Sequence, residues 1–247
     1  DLTMEVVQQW QQLLATGPTR LLGLGVWLLL MAALLIPLER RWPLRRQSTL
    51  RAGLADDIAY FFLGGMVPAF VIVVFATAAL WVQQHGPVAF YAWVGSLPLT
   101  VRVVATILIS EVVYYWAHRW SHEIPWLWRF HAIHHSPTSL DWLVNTRAHP
   151  LDLAFSRSLT TVMLLMLGLT YGADTDVAGI VALVIIFNTS WGFFVHSNLR
   201  VRLGVLEHLV TTPAFHHWHH TNDGADYANR NYAALLPWID RLFGTHY

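Results

Sequence analysis

Long apolar stretches alternate with short polar segments along this chain, and that pattern predicts helices that cross a membrane. The strong runs cover residues 21–38, 58–82, 101–117, 153–171 and 177–195. At about 1.5 Å per residue, the first is long enough to span a bilayer. No small-residue cleavage pattern follows it, so it reads as a retained span. Gly64, Gly65 and Pro68 interrupt the second run, which is therefore kinked or built as two half-helices. The span count is accordingly four or five. Residues 1–19 read as a lead of mixed polarity, 83–99 as an aromatic-rich loop and 172–175 as a short turn. Regions 118–150 and 196–247 are polar and rich in histidine. The expected fold is all-α: one domain, an integral membrane helical bundle with a helical cap that carries the histidines.

Composition agrees with that pattern. Hydrophobic residues make up 55% of the 247, and charged residues only 12%, about half the share usual in a soluble domain. Formal net charge is zero, which lacks the basic surplus a nucleic-acid partner requires; no nucleic acid is expected. There is no cysteine, which excludes disulfides, thiolate metal sites, Fe–S clusters and a cysteine nucleophile. All basic residues are arginine, which excludes lysine Schiff-base chemistry. With five spans, the loop carrying Arg40, Arg41, Arg45, Arg46 and Arg51 shares one side with both histidine regions. That side then takes every arginine but Arg20 and Arg102, and the positive-inside rule makes it cytoplasmic.

The candidate chemistry lies in the 14 histidines. Three segments concentrate them: His118-x-x-x-His122, His131-x-x-His134-His135, and His216-His217-x-His219-His220. Residues three and four apart on a helix share a face, so paired imidazoles can meet one metal ion. An HxxHH segment can serve one metal or bridge two neighbouring sites. The eight that fall at HxxxH and HxxHH spacing already exceed the needs of one ion, so two metals are the economical reading. Imidazole-rich sites suit zinc, copper, iron and nickel. Carboxylates commonly orient such rings. Glu111, two turns before His118 inside the third run, is one candidate; Asp152, Glu207 and Asp240 are others. Two rival classes remain on these residues alone. A metal transporter would place its ligands near the middle of facing spans, whereas these cluster at span ends. A hydrolytic zinc enzyme would need a carboxylate base at an open site, and no HExxH is present.

At these residues the sequence resembles the fatty acid hydroxylase/sterol desaturase superfamily of membrane di-iron enzymes. The resemblance runs from about Glu111 to Tyr247. It includes Tyr114-Tyr115-Trp116-Ala117-His118-Arg119, Trp128-Arg129-Phe130-His131-Ala132-Ile133-His134-His135 and Arg147-Ala148-His149-Pro150-Leu151-Asp152. It continues through Val195-His196-Ser197-Asn198 and Thr212-Pro213, and closes with Asn231-Tyr232 and Asp240-Arg241-Leu242-Phe243-Gly244. The resemblance implies a cytosol-facing di-metal site with His118, His122, His131, His134, His135, His196, His216, His219 and His220 as ligands. His217 falls at a variable position, and His149 is either a ligand or a supporting residue. Where some members carry a further histidine, this chain has Gly192; Asn188, one turn back, is a candidate to hold a water on the metal instead.

The activity implied is O₂-dependent hydroxylation of a membrane lipid, fatty acyl or sterol-like, at two iron ions. Zinc competes for such nitrogen-rich sites in purified protein. Desaturation or oxidative C–O cleavage at the same centre is the alternative. Tyr114, Tyr115, Phe187, Trp191 and Phe194 are candidates to line the substrate's route from the bilayer. With no dinucleotide fingerprint and no cysteine, electrons are expected from a separate donor: a reductase, or a carrier of ferredoxin or cytochrome type.

Overall fold

The computed structural model describes residues 2–169, 171, 175–221, 224 and 229–247, with the backbone alone described at 175–183 and 185. Among the described residues every regular element is helical. The chain runs α1 (Leu2–Ala15), α2 (Gly17–Arg41), α3 (Leu54–Met66), α4 (Pro68–His85), α5 (Val88–Gly95), α6 (Leu99–Glu123) and α7 (Pro125–His131). Then follow a 3₁₀ turn (Trp142–Thr146), α8 (Pro150–Met166), α9 (Thr175–His196), a second 3₁₀ turn (Gly204–His208), α10 (Pro213–His219) and α11 (Trp238–Leu242).

Three helical units are long and apolar enough to cross a membrane: α2, the 32-residue stretch Leu54–His85 and α6. The remaining two expected runs fall on α8, of 17 residues, and α9, of 22. The surface of α2 is apolar where it faces outward: Leu22 and Leu29 are 69% and 70% exposed. That is the surface of a helix meant for lipid rather than water. The interrupted second run breaks between α3 and α4 at Pro68, whose ring lacks the N–H that would continue the ladder.

Two regions for which no helix was expected, the lead and the aromatic loop, contain helices. The lead forms α1, and the aromatic loop contains α5, with Tyr91 and Val94 buried. Helix α5 is short, eight residues, and has no polar face to produce a period. The turn expected at 172–175 lies mostly outside the described residues.

Packing brings the histidine segments to one end. Helix α8 packs against α4 and α6, and α9 packs against the first 3₁₀ turn and α10. A core of Leu35, Phe61, Trp142, Leu143 and Phe193 joins α2, α3, the 3₁₀ turn and α9. A second core of Tyr115, Tyr232, Ala233 and Ile239 fastens the C-terminal segment to α6. Buried ion pairs join the start of α3 to the residues flanking the 3₁₀ turn: Arg51 meets Asp57 at 2.5 Å and Asp141 at 2.6 Å, and Arg147 also pairs with Asp57. Glu39, near the end of α2, accepts the backbone N–H groups of Trp142 (2.9 Å) and Asn198 (2.8 Å). That carboxylate ties the 3₁₀ turn to the residues following His196.

Candidate metal centre

Helix α6 supplies His118 and His122 from one face, and α7 ends on His131. A turn after α7, closed by the N–H of His134 on the carbonyl of His131 at 2.9 Å, presents His134 and His135. His196 is the last residue of α9, while α10 carries His216 and His219 and is followed by His220. Thr212 caps α10 through its hydroxyl, and Pro213 begins it.

These nine histidines gather into two adjoining groups. One is His118, His122, His131, His135 and His219; the other is His134, His196, His216 and His220. Within each, the ligand atoms lie within 4.8 Å of one another. Each HxxHH segment bridges the two. In the second segment the i, i+4 pair His131/His135 enters the five-histidine group, and His134 enters the other. In the third, His216 and His220 enter the four-histidine group, and His219 crosses over. Residues 132–135 form a turn rather than a helix, so the split is set by where α9 and α10 meet the two segments.

The ring nitrogens divide by role. In the five-histidine group all five Nε2 atoms are buried and have no hydrogen-bond partner. Four of the opposite nitrogens are engaged. His118 Nδ1–H donates to the Tyr232 carbonyl at 2.8 Å and His219 Nδ1–H to the Arg230 carbonyl at 2.8 Å. His131 Nδ1 meets Asp152 Oδ2 at 2.9 Å, and His122 Nδ1 meets Asn229 Oδ1 at 3.2 Å. Protons held at Nδ1 leave lone pairs at Nε2, the arrangement metal ligation requires.

The four-histidine group gives the sharper argument. His134 Nδ1–H donates to the Arg147 carbonyl, and His196 Nδ1–H to the Gly192 carbonyl. Both Nε2 atoms are therefore lone pairs, yet they stand 3.1 Å apart. The Nε2 atoms of His216 and His220 approach His196 to 2.9 and 3.3 Å, and each other to 3.2 Å. Facing lone pairs repel unless a cation lies among them. At metal–nitrogen distances of about 2.0–2.1 Å, ligand nitrogens of one shell stand about 3–3.5 Å apart. The residues therefore fit one ion in each group.

Electrostatics keep the rings in the ligating form. Burial, chiefly, pushes the His134 imidazolium pKa down to about 3. Burial, reinforced by neighbouring rings, holds His135, His216, His219 and His220 well below the ordinary value. Neutral rings need lose no proton before binding metal.

The remaining candidates take other places. Asp152 accepts from His131 and also from the Ser121 hydroxyl at 3.3 Å, so it orients a ligand ring. The Glu111 carboxylate lies outside both groups and accepts the Leu235 N–H at 2.9 Å, tethering the C-terminal segment to α6. Asp240 accepts the N–H groups of Tyr232 and Ala233, both at 2.8 Å, and thereby shapes the loop whose carbonyls hold His118 and His219. Glu207 accepts the Leu203 N–H within its own turn. Among the described residues no hydrogen bond joins Asn188 to either group. The residue set against Gly192 is Asn145, whose Oδ1 would lie 2.7 Å from a Cβ there. His149 caps α8 by accepting the Leu151 N–H at 3.1 Å, and His217 Nε2–H reaches the His196 carbonyl at 3.2 Å; neither joins a group.

Sequence reasoning did not find the carbonyls of Arg147, Gly192, Arg230 and Tyr232, because a backbone acceptor leaves no mark on residue identity. One signal was available: Asn229 and Asn231 flank Arg230 with positive φ, of 60° and 58°, a conformation asparagine tolerates.

A family model described as fatty acid hydroxylase matches residues 103–245, more than half of the chain. An ornithine lipid hydroxylase from Rhizobium tropici is 33% identical over 217 residues, covering 85% of this chain and 61% of that protein. Alkylglycerol monooxygenases from Danio rerio and Homo sapiens are 33% and 29% identical over 136 and 132 residues. Those matches cover 55% and 53% of this chain, and 28% and 27% of the relatives. The chain thus spans about three-fifths of the first relative and under a third of the other two. No solved structure matches the chain at a significant level.

Proposed function

Because the chain belongs to the fatty acid hydroxylase family, we propose that it is an integral membrane di-iron monooxygenase that hydroxylates a lipid. The observation that carries this reading is the pair of adjoining histidine groups with their Nε2 lone pairs turned inward. Two bound iron ions supply the reductive activation of dioxygen for oxidation of an unactivated C–H bond. The balance is R–H + O₂ + two electrons + two protons → R–OH + H₂O.

The chain's own residues bind and position. His118, His122, His131, His135 and His219 hold one ion, and His134, His196, His216 and His220 hold the other. Asp152 fixes the His131 ring, and the carbonyls of Tyr232, Arg230, Arg147 and Gly192 fix four more. Burial excludes water from the rings and keeps them unprotonated. The lipid enters from the bilayer, and a separate reductase, ferredoxin or cytochrome supplies electrons. The histidine end faces the cytoplasm, which the arginine distribution supports. The names of the ornithine lipid hydroxylase and the alkylglycerol monooxygenases support oxygen insertion.

The test is product mass. Membranes containing the full chain, an electron donor and ¹⁸O₂ should yield a lipid heavier by one ¹⁸O atom, lost in His131→Ala. A product lighter by two hydrogens would replace hydroxylation by desaturation. Metal-dependent lipid turnover that needs no O₂ would refute the reading.

A further inference from the structure

Helix α8 carries one charge that the metal centre does not use. Arg157 lies five residues after Asp152, about 7.5 Å along the helix. It lies within the apolar run 153–171, on a helix that packs against α3 and α6. Its Nη1–H donates to the Gly64 carbonyl at 3.0 Å. That carbonyl is left over because the residue four positions on is Pro68, which has no N–H. Arg20 Nη2–H does the same for the Gly65 carbonyl at 3.1 Å, and Arg20 Nη1 is buried without a partner.

Mending a helix break takes one of the five N–H donors of a guanidinium and none of its charge. A glutamine would serve as well. Among the described residues neither arginine forms an ion pair; the carboxylate partners belong to Arg51, Arg119 and Arg147. Two guanidiniums on consecutive carbonyls, within apolar helices and without an acid, leave an uncompensated positive site. Arg157 is exposed at the side of α8. Tyr114 stands on α6, which packs against α8. Its ring centroid lies 5.4 Å from that of His118.

We propose that Arg157, with Arg20 beside it, forms an anion subsite that holds the carboxylate or phosphate of a lipid substrate, with Tyr114 as the wall between that anion and the five-histidine group. With Nη1 spent on Gly64, the Nε–H and Nη2–H edge of Arg157 is left to grip two anionic oxygens at once. The proposal rests on the lipid hydroxylase reading and deepens it: the substrate is an anionic lipid, oxidised toward its polar end.

The experiment is binding of soluble eight-carbon probes to the metal-loaded full chain in neutral detergent, read by titration calorimetry. Octanoate and octyl phosphate should bind at least about tenfold more tightly than octanol or octyltrimethylammonium, as expected for a charge-assisted pair. The tighter of the two anions identifies the headgroup chemistry. Arg157→Gln, which keeps a donor for Gly64, should erase the preference while retaining its metal, and Arg157→Lys should keep part of it. Equal wild-type affinity for octanol and both anions would overturn the proposal even if no variant folded, as would an undiminished preference in Arg157→Gln. Binding needs no turnover, so the two readings fail separately. Anion preference without O₂-dependent product would sink the oxygenase alone, and product with no anion preference would sink the subsite alone.

Discussion

Removing the Asp152 carboxylate tests whether the two histidine groups are separable sites. Asp152 touches one ligand, His131, through a 2.9 Å contact to Nδ1, and is itself held by Ser121. A hydrogen bond to a charged group contributes roughly 1.5–3 kcal/mol, which corresponds to about 10- to 100-fold in affinity and agrees with the loss usual when a ligand's supporting partner is removed. Asp152→Ala should therefore weaken one ion by that factor and leave the other, bound by His134, His196, His216 and His220, nearly as tight. The assay is a chelator titration of purified protein with metal counted by elemental mass spectrometry. Wild type should release its ions over one range of chelator, and the variant should show an early step of one ion per chain. An unchanged titration would refute the role of Asp152, and simultaneous loss of both ions would refute separable sites.

Three further outcomes follow from the same contacts. Glu111→Ala strands the buried Leu235 N–H, at about 1–3 kcal/mol; thermal unfolding should show that loss, while Glu111→Gln keeps an acceptor and most of the stability. Asp57→Ala removes the shared partner of Arg51 and Arg147; because Arg51 keeps Asp141, it should cost about 1–3 kcal/mol, visible as a drop in Tm. In metal-stripped protein His134 titrates near 3 when folded against an ordinary 6.5. The unfolded chain then binds more protons between those values, so stability should fall as pH drops from about 6.5. A Tm unchanged between pH 7.5 and 5 would contradict it.

The histidines that gather were legible in the sequence, eight from their spacing and His196 from the family resemblance. Their division was not. Whether His134 joins His131 or crosses to His196 depends on where α9 and α10 arrive, which no local spacing encodes. The partner of Arg157 was hidden for a related reason: the Gly64 carbonyl it meets lies 93 residues away in sequence. The aromatic helix α5 was missed because it is apolar on every side, so no period marks it. Glu111 did stand out as an acid inside a span, yet it reaches for the backbone of Leu235 rather than for a histidine, a contact 124 residues away in sequence.

The central claim is two ions in two histidine groups, and metal content per chain tests it most directly. Protein produced with excess iron should carry about two irons per chain. His131→Ala and His216→Ala, one from each group, should each fall to about one and lose lipid oxidation while still inserting in the membrane. At most one metal per chain in the wild type, or full metal in both variants, would contradict the account.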